Sequence, residues 1–402
     1  MFLSNLKKNI NYKLVPIYCL NIISFICLII LAIKNVKFLF GNYFQTFVKN
    51  SDYFINYSSG FIKRGLDGEI IHRLTILTGF SPVGILKVYY LFFFIIITFI
   101  VLYGYIKSKV NLFFIFSPYI FLFTFVNFRL VHLTKDLEII VFSYLVLYYF
   151  LNHKNKYLFN LFLCIGILIH EEIFIFLSIP LFILSFYTNH NQDFIVNTKK
   201  FFIKILPSAI LFIVMVFIFN GSKNDINEIY YSWKSITDEL DGLKFNYGLF
   251  DGNSVIVFYS NHVVGIKGYV GLGLLFIINF IFMTCGAFVY YKKNFLLFFY
   301  IALFQNFSIF LVCIVASDFG RWFFVPNTIF LMLIFLLNKK TLYFKGLDNL
   351  INNEIIIKFY RKHSLNLLVV LFLFGGMPYC GFNIYRYLFT NPFNVLFNFI
   401  SI

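Results

Sequence analysis

Four polar segments interrupt an otherwise apolar chain, and their ionisable side chains have spacings that allow chemistry. The first segment, residues 50–73, contains cations, carboxylates and glycines: Lys63, Arg64, Asp67, Glu69, Gly60, Gly65 and Gly68. The adjacent Lys63 and Arg64 suit a phosphate or diphosphate group, because Arg presents a planar fork of donors to phosphate oxygens. The glycines permit tight backbone near a ligand. The alternative is an amphipathic interfacial helix in which Glu69 and Arg73, four residues apart, form a salt bridge.

The second segment, residues 127–138, contains Arg129, His132, Lys135, Asp136 and Glu138. On a helix, Arg129, His132 and Asp136 would share one face, because they are spaced by three and four residues. Burying so many polar groups between two apolar helices is costly, so within a membrane domain they indicate a functional site. A surface turn at Lys135 and Asp136 is the alternative.

The third segment places His170, Glu171 and Glu172 next to one another in a long apolar run. Such residues must reach the membrane surface or line a wet cavity. A His beside carboxylates is typical of a general base, and a carboxylate in apolar surroundings has a raised pKa. The HEE sequence lacks the HExxH spacing of a zinc protease, so we predict no metal. A short exposed turn is the alternative.

The fourth segment, residues 317–322, contains Asp318 and Arg321, which either pair with each other or supply another anion ligand. A further loop, residues 221–268, combines six carboxylates with aromatic residues. This mixture suits sugar binding and is equally typical of a solvated acidic loop. The chain has no nucleotide-binding or lipase motif in a credible context, so we expect no cofactor.

The elements that position these segments are membrane helices. Of the 402 residues, 60% are hydrophobic and 12% are charged, which is too little polar surface for a water-soluble fold of this size. Stretches long enough for a bilayer core of about 30 Å predict one all-α membrane domain, residues 1–402, with about eleven spans. These lie near 14–33, 87–106, 111–127, 137–152, 157–170, 173–188, 205–220, 269–291, 294–316, 322–338 and 365–384.

Loop charge predicts the orientation of the chain. With the N-terminus inside and the C-terminus outside, 18 of the 33 Lys and Arg residues but only 3 of the 17 acids face the cytoplasm. The net charge of +16 is therefore a topology signal, and we expect membrane lipid rather than nucleic acid as a partner. Residues 34–86 and 221–268 form the two long outward loops in this prediction, on the face that also carries the four polar segments.

Residues 127–176 resemble the core of bacterial exopolysaccharide and O-antigen membrane polymerases of the EpsG and Wzy type. In those proteins an Arg-containing turn leads a helix and an apolar helix ends in a His, positions matched here by Arg129 and His170. The chain also resembles polytopic glycosyltransferases of the GT-C fold, which place an acidic residue in a long outward loop after the first helix. Asp52, Asp67 and Glu69 are available for that role.

These resemblances imply a bacterial inner-membrane, multi-pass glycosyltransferase or polymerase of capsule or lipopolysaccharide O-antigen. Its expected substrate is a polyprenyl-diphosphate-linked sugar at the non-cytoplasmic face, and its expected partners are other polysaccharide-assembly membrane proteins. The candidate catalytic residues are His170, Glu171, Glu172, Asp67, Glu69 and Asp136. The candidate substrate-binding residues are Lys63, Arg64, Arg129, His132, Lys135, Asp318 and Arg321. The alternative is a flippase or transporter of lipid-linked oligosaccharide, which would use a cationic cavity without bond chemistry.

Overall fold

The computed structural model describes residues 15–41, 52–108, 110–115, 117, 135–152, 157–188, 194–219, 221–243, 266–290, 295–315, 319–337 and 354–374. The regular structure within these ranges is helical throughout. The helices are α1 Val15–Phe40, α2 Leu66–Thr78, α3 Pro82–Ser108, α4 Leu112–Ile115, α5 Asp136–Asn152, α6 Leu158–Ile169, α7 Glu172–Thr188, α8 Phe194–Phe217, α9 Lys223–Lys234, α10 Ile266–Tyr290, α11 Phe295–Val315, α12 Phe319–Leu337 and α13 Glu354–Phe374. A 3₁₀ turn, Asp52–Phe54, precedes α2.

Within the described ranges, three helices are long and apolar enough to cross a membrane. They are α3, α8 and the Gly273–Tyr290 part of α10. Their length and composition are those of membrane-spanning segments, and each overlaps a span predicted from the sequence. The described part of the chain is therefore all-helical, with helices typical of a membrane protein.

Two helices begin earlier than the hydropathy of the sequence predicts. Helix α8 begins at Phe194 rather than near 205, and α13 begins at Glu354 rather than near 365. Basic residues in the first turns had suggested a loop. In α8 these turns nevertheless pack on the bundle, because Phe201 is buried and the ammonium of Lys204 lies 4.0 Å from the centre of the Phe150 ring.

Close helix packing joins the bundle through small residues. Helix α5 packs against α3, α6 and α12, and α7 packs against α11. Helix α3 also contacts α12 at Gly104, where a Cβ atom would overlap the ring of Phe335. Small residues at such contacts let helix backbones approach closely, which is the usual way membrane helices associate.

Side-chain amides connect α10, α11 and α12 inside the bundle. Asn279 donates to Asn306 at 2.9 Å, and Asn327 donates to Asn279 at 2.6 Å. Gln305 donates to the carbonyl of Pro326 at 2.9 Å. Each interhelical hydrogen bond of this kind contributes about 0.6–2 kcal/mol in a membrane. The three helices are thereby fixed in register.

Two segments outside α10, α11 and α12 pack on each other, namely residues 52–56 and helix α9. Trp233 of α9 donates its indole N–H to the carbonyl of Phe54 at 2.8 Å, and Asn56 donates to the Ser232 hydroxyl at 2.9 Å. Helix α9 begins at a capping box, in which the Ser222 side chain and the Asp225 side chain accept from each other's backbone N–H. The segment after α8 therefore braces the 3₁₀ turn at Asp52.

Candidate functional site

Arg64 is the centre of a group of ionisable residues from two distant parts of the chain. Its Nε lies 3.0 Å from one carboxylate oxygen of Glu171 and its Nη2 lies 2.7 Å from the other, which makes a bidentate pair. Its Nη1 lies 3.2 Å from Asp52, and Nη2 lies 3.9 Å from Glu172. The structure thus brings the first and third polar segments together across 107 positions of sequence. We call Asp52, Lys63, Arg64, His170, Glu171 and Glu172 the Arg64 cluster.

The backbone of Arg64 is in the left-handed region, with φ of 62°. Among the described residues it is the one non-glycine position with positive φ. Left-handed backbone costs an L-residue with a Cβ atom about 1–2 kcal/mol, and such residues persist where their surroundings hold them, often at functional sites. Gly65 follows it at a position where a Cβ atom would overlap the Tyr57 ring. The bend at 64 and 65 thus turns the chain into α2 and aims the guanidinium at the carboxylates.

A short turn between α6 and α7 places Glu171 and Glu172 against Arg64 with His170 beside them, whereas Asp52 reaches Arg64 from the 3₁₀ turn. The His170 N–H donates to the carbonyl of Gly166 at 2.8 Å and ends α6, while Glu172 begins α7. A carboxylate in the first turn of a helix is favoured by the helix dipole. The His170 side chain is buried, and its Nδ1 lies 3.4 Å from Glu172 Oε2.

Charge and burial act in opposite directions on these groups. Burial raises the pKa of the Glu171 carboxyl, but the nearby guanidinium of Arg64 outweighs it, so the pKa of Glu171 lies well below its usual range. Burial disfavours the charged form of Arg64, and Glu171 more than reverses this, which leaves the pKa of Arg64 raised. Burial lowers the pKa of Lys63, and the negative charge of Glu171 offsets only part of that effect.

These environments separate the chemical roles of the carboxylates. A carboxylate whose pKa is strongly lowered is a weak base, so Glu171 is suited to holding Arg64 rather than to accepting a proton. The side chain of Asp52 is 25% exposed, against 12% for Glu171 and 10% for Glu172. Asp52 is therefore the carboxylate of the Arg64 cluster that a ligand reaches most easily.

A second group lies directly behind Arg64 and is more deeply buried. The Lys135 ammonium lies 3.1 Å from Asp67 Oδ2, and both side chains are 1% exposed or less. Lys135 also donates to the backbone carbonyl of Arg64 at 2.6 Å, and Tyr89 donates to Asp67 at 2.5 Å. Tyr53 donates to Glu138 at 2.7 Å. We call Tyr53, Asp67, Tyr89, Lys135 and Glu138 the Lys135 cluster.

The structure places the other sequence candidates as follows. Glu69 accepts from the Tyr57 N–H at 3.0 Å and from Arg73 at 2.7 Å, and Asp136 is buried in the first turn of α5. Arg129, His132 and Asp318 lie outside the described residues. Arg321 belongs to α12, but its side chain is outside the described part of the structure. Anion binding by Arg129 and Arg321 stays a prediction.

The sequence reasoning missed Tyr53 and Tyr89, and it placed Glu138 in the second polar segment without giving it a role in the site. Each is separated from its partner by 22 or 85 residues, so no local spacing connects them. Asp52 had entered only as one of three acids available in the first loop. Among the described residues, no three His, Cys, Asp or Glu side chains are grouped so that they would hold a metal ion.

The chain matches no protein-family model, no curated protein and no solved structure.

Proposed function

We propose that the protein is a multi-pass glycosyltransferase of the polysaccharide-polymerase type in the inner membrane of a bacterium. It acts on polyprenyl-diphosphate-linked sugars at the non-cytoplasmic face. The division of loop charge supports about eleven spans with the N-terminus inside and the C-terminus outside. The observation that carries the proposal is the convergence of Asp52, Arg64 and Glu171 at one site around a left-handed arginine.

In the proposed reaction, Asp52 is the general base. Its carboxylate accepts the proton of an acceptor sugar hydroxyl as that oxygen attacks the anomeric carbon of the donor. The bond from this carbon to the diphosphate breaks, and its electron pair leaves with the diphosphate. A positioned base contributes about 10²- to 10⁴-fold to such a step. Arg64 orients Asp52 through Nη1, at 3.2 Å.

Departure of the diphosphate needs positive charge nearby. Lys63 is adjacent in sequence to Arg64 and interacts with the same carboxylates. Arg64 is already held by Glu171 and Asp52, so it serves mainly to orient the site. In this proposal Lys63, with Arg129 and Arg321, supplies the cations that the leaving group requires.

Transport of the same lipid-linked sugars is the second candidate function. Asp67, Lys135 and Glu138 are ionisable and almost fully buried behind the Arg64 cluster. Buried ionisable groups in membrane proteins commonly mark ion or proton pathways. A transporter would use this buried charge to couple substrate movement to a proton.

The test is polymer formation by the purified protein in lipid nanodiscs with a defined polyprenyl-diphosphate oligosaccharide. Asp52→Asn should lower product formation about 10²-fold or more at normal protein abundance. The matched control is Glu228→Gln, since Glu228 is exposed on α9, and it should retain full activity. Normal product from Asp52→Asn would reject Asp52 as the base. Translocation of a fluorescent lipid-linked sugar without any new glycosidic bond would reject transferase chemistry in favour of transport.

A further inference from the structure

Lys135 is an almost fully buried lysine whose ammonium has three well-defined neighbours. It lies 2.6 Å from the carbonyl oxygen of Arg64, 3.1 Å from Asp67 Oδ2 and 5.7 Å from the centre of the Tyr53 ring. These match the three N–H donors of an ammonium with a carbonyl, a carboxylate and an aromatic face. With 1% exposure it has no surface to offer a substrate.

The contact with the Arg64 carbonyl occurs at the residue whose backbone is left-handed. Rotation of Arg64 to a common negative φ would reorient the peptide groups beside it. That rotation would move its carbonyl away from Lys135 or its guanidinium away from the carboxylates. Asp67 fixes the ammonium from behind and is itself held by the Tyr89 hydroxyl. The anchoring chain therefore runs from α3 through Asp67 and Lys135 to the backbone of Arg64.

We propose that Lys135 is a positioning residue, which holds the left-handed backbone of Arg64 and so fixes the guanidinium against Asp52 and Glu171. The backbone role stands on the geometry alone. Its effect on turnover rests on the proposed transferase function. A simple ion pair that only neutralises Asp67 would make the same Lys135 to Asp67 contact but would leave Arg64 independent of it.

The first experiment measures backbone strain without using activity. At a position with φ of 62°, glycine is free of the penalty that alanine pays, so Arg64→Gly should melt about 2 °C higher than Arg64→Ala. The same pair is then compared in a chain that carries Asp67→Asn and Lys135→Met, which removes both buried charges together. With the anchor gone, position 64 relaxes and the glycine advantage should disappear. A glycine advantage of unchanged size in that background would overturn the proposal.

The single change Asp67→Asn gives a second test that does not depend on recovery of the double variant. The amide oxygen of asparagine can still accept from the Lys135 ammonium while its N–H donates to the Tyr89 hydroxyl oxygen, so Lys135 keeps its contact with the Arg64 carbonyl and the glycine advantage should persist. If the glycine advantage were lost in Asp67→Asn, then Asp67 rather than Lys135 would hold the left-handed backbone, and the proposal would be overturned.

The second experiment measures turnover in the nanodisc assay. The variant with Asp67→Asn and Lys135→Met should accumulate normally yet show kcat at least tenfold lower with little change in KM, because a misplaced catalytic group costs rate rather than binding. Lys234→Met, at an exposed lysine of α9, is the control. A double variant with wild-type kcat would show that Lys135 only neutralises Asp67 and does not position Arg64. Absence of transfer by the wild-type protein would reject the proposed function, while the melting comparison would still decide the backbone role.

Discussion

Replacing Arg64 should expose how strongly the Arg64 cluster depends on one guanidinium. Arg64 and Glu171 are 11% and 12% exposed and form a bidentate pair, with Nη2 and Nε at 2.7 and 3.0 Å from the two carboxylate oxygens. A hydrogen bond to a charged group contributes about 1.5–3 kcal/mol, and removing one partner of a buried pair costs about 3–5 kcal/mol. We therefore expect Arg64→Gln to lower the free energy of unfolding by about 4 kcal/mol.

The double variant with Arg64→Gln and Glu171→Gln shows whether the cost of each single change comes from a buried charge left without its partner or only from lost contacts. In it neither buried charge is left without its partner, so the combined cost should be about 3 kcal/mol smaller than the sum of the single costs. Thermal melting in one detergent at one scan rate measures the series, at about 2 °C per kcal/mol. Arg73→Gln is the control, since Arg73 pairs with Glu69 but is 71% exposed and should cost less than about 1 kcal/mol. Additive single costs would refute the description of Arg64 and Glu171 as a coupled buried pair.

Three further predictions concern pH, packing and topology. Because the pKa of Glu171 is lower in the folded than in the unfolded chain, its contribution to stability is complete above the ordinary value of 4.5 and is lost as pH falls through the folded pKa. Melting temperature should decline below about pH 4.5 in the wild type and decline less in Glu171→Gln; parallel curves would contradict this. Gly68→Ala should abolish accumulation of folded protein, because its Cβ would overlap the backbone of Ile55, just after the 3₁₀ turn, whereas Gly84→Ala meets only ordinary contacts and should be neutral. Periplasmic reporters fused at Asp238 should be active and those at Lys293 inactive, and the reverse pattern would overturn the predicted orientation.

Hydropathy located the long apolar helices well, because a span must be continuous and apolar. The prediction near 87–106 lies wholly within α3. Hydropathy placed the starts of α8 and α13 too late, because a window average treats a lysine as a loop residue even where it packs against an apolar ring. Lys204, which lies over the ring of Phe150, is an example. Helix α9 could have been predicted from Ser222 and Asp225, whose spacing is a capping signal.

The residue types of the candidate site could be predicted from the sequence, but their partners could not. Arg64 and Glu171 were both singled out, each as a ligand or base for substrate. Their pairing depends on the path of the chain between α1 and α7, which local spacing does not encode. Lys135 was assigned to substrate binding as part of a polar segment that is costly to bury within a membrane domain. The structure places it against Asp67 and the Arg64 carbonyl instead.

The contact of Arg64 with Glu171 constrains how the protein can be recombined or can diverge. The 3₁₀ turn and the bend at Arg64 belong to one segment, while Glu171 belongs to a turn far along the chain. A chimera that receives a foreign first loop but keeps its own HEE turn would leave a buried carboxylate without its cation. Exchange of the first loop between such proteins should therefore succeed only when residues 170–172 are transferred with it. The two segments must therefore change together, although they are far apart in sequence.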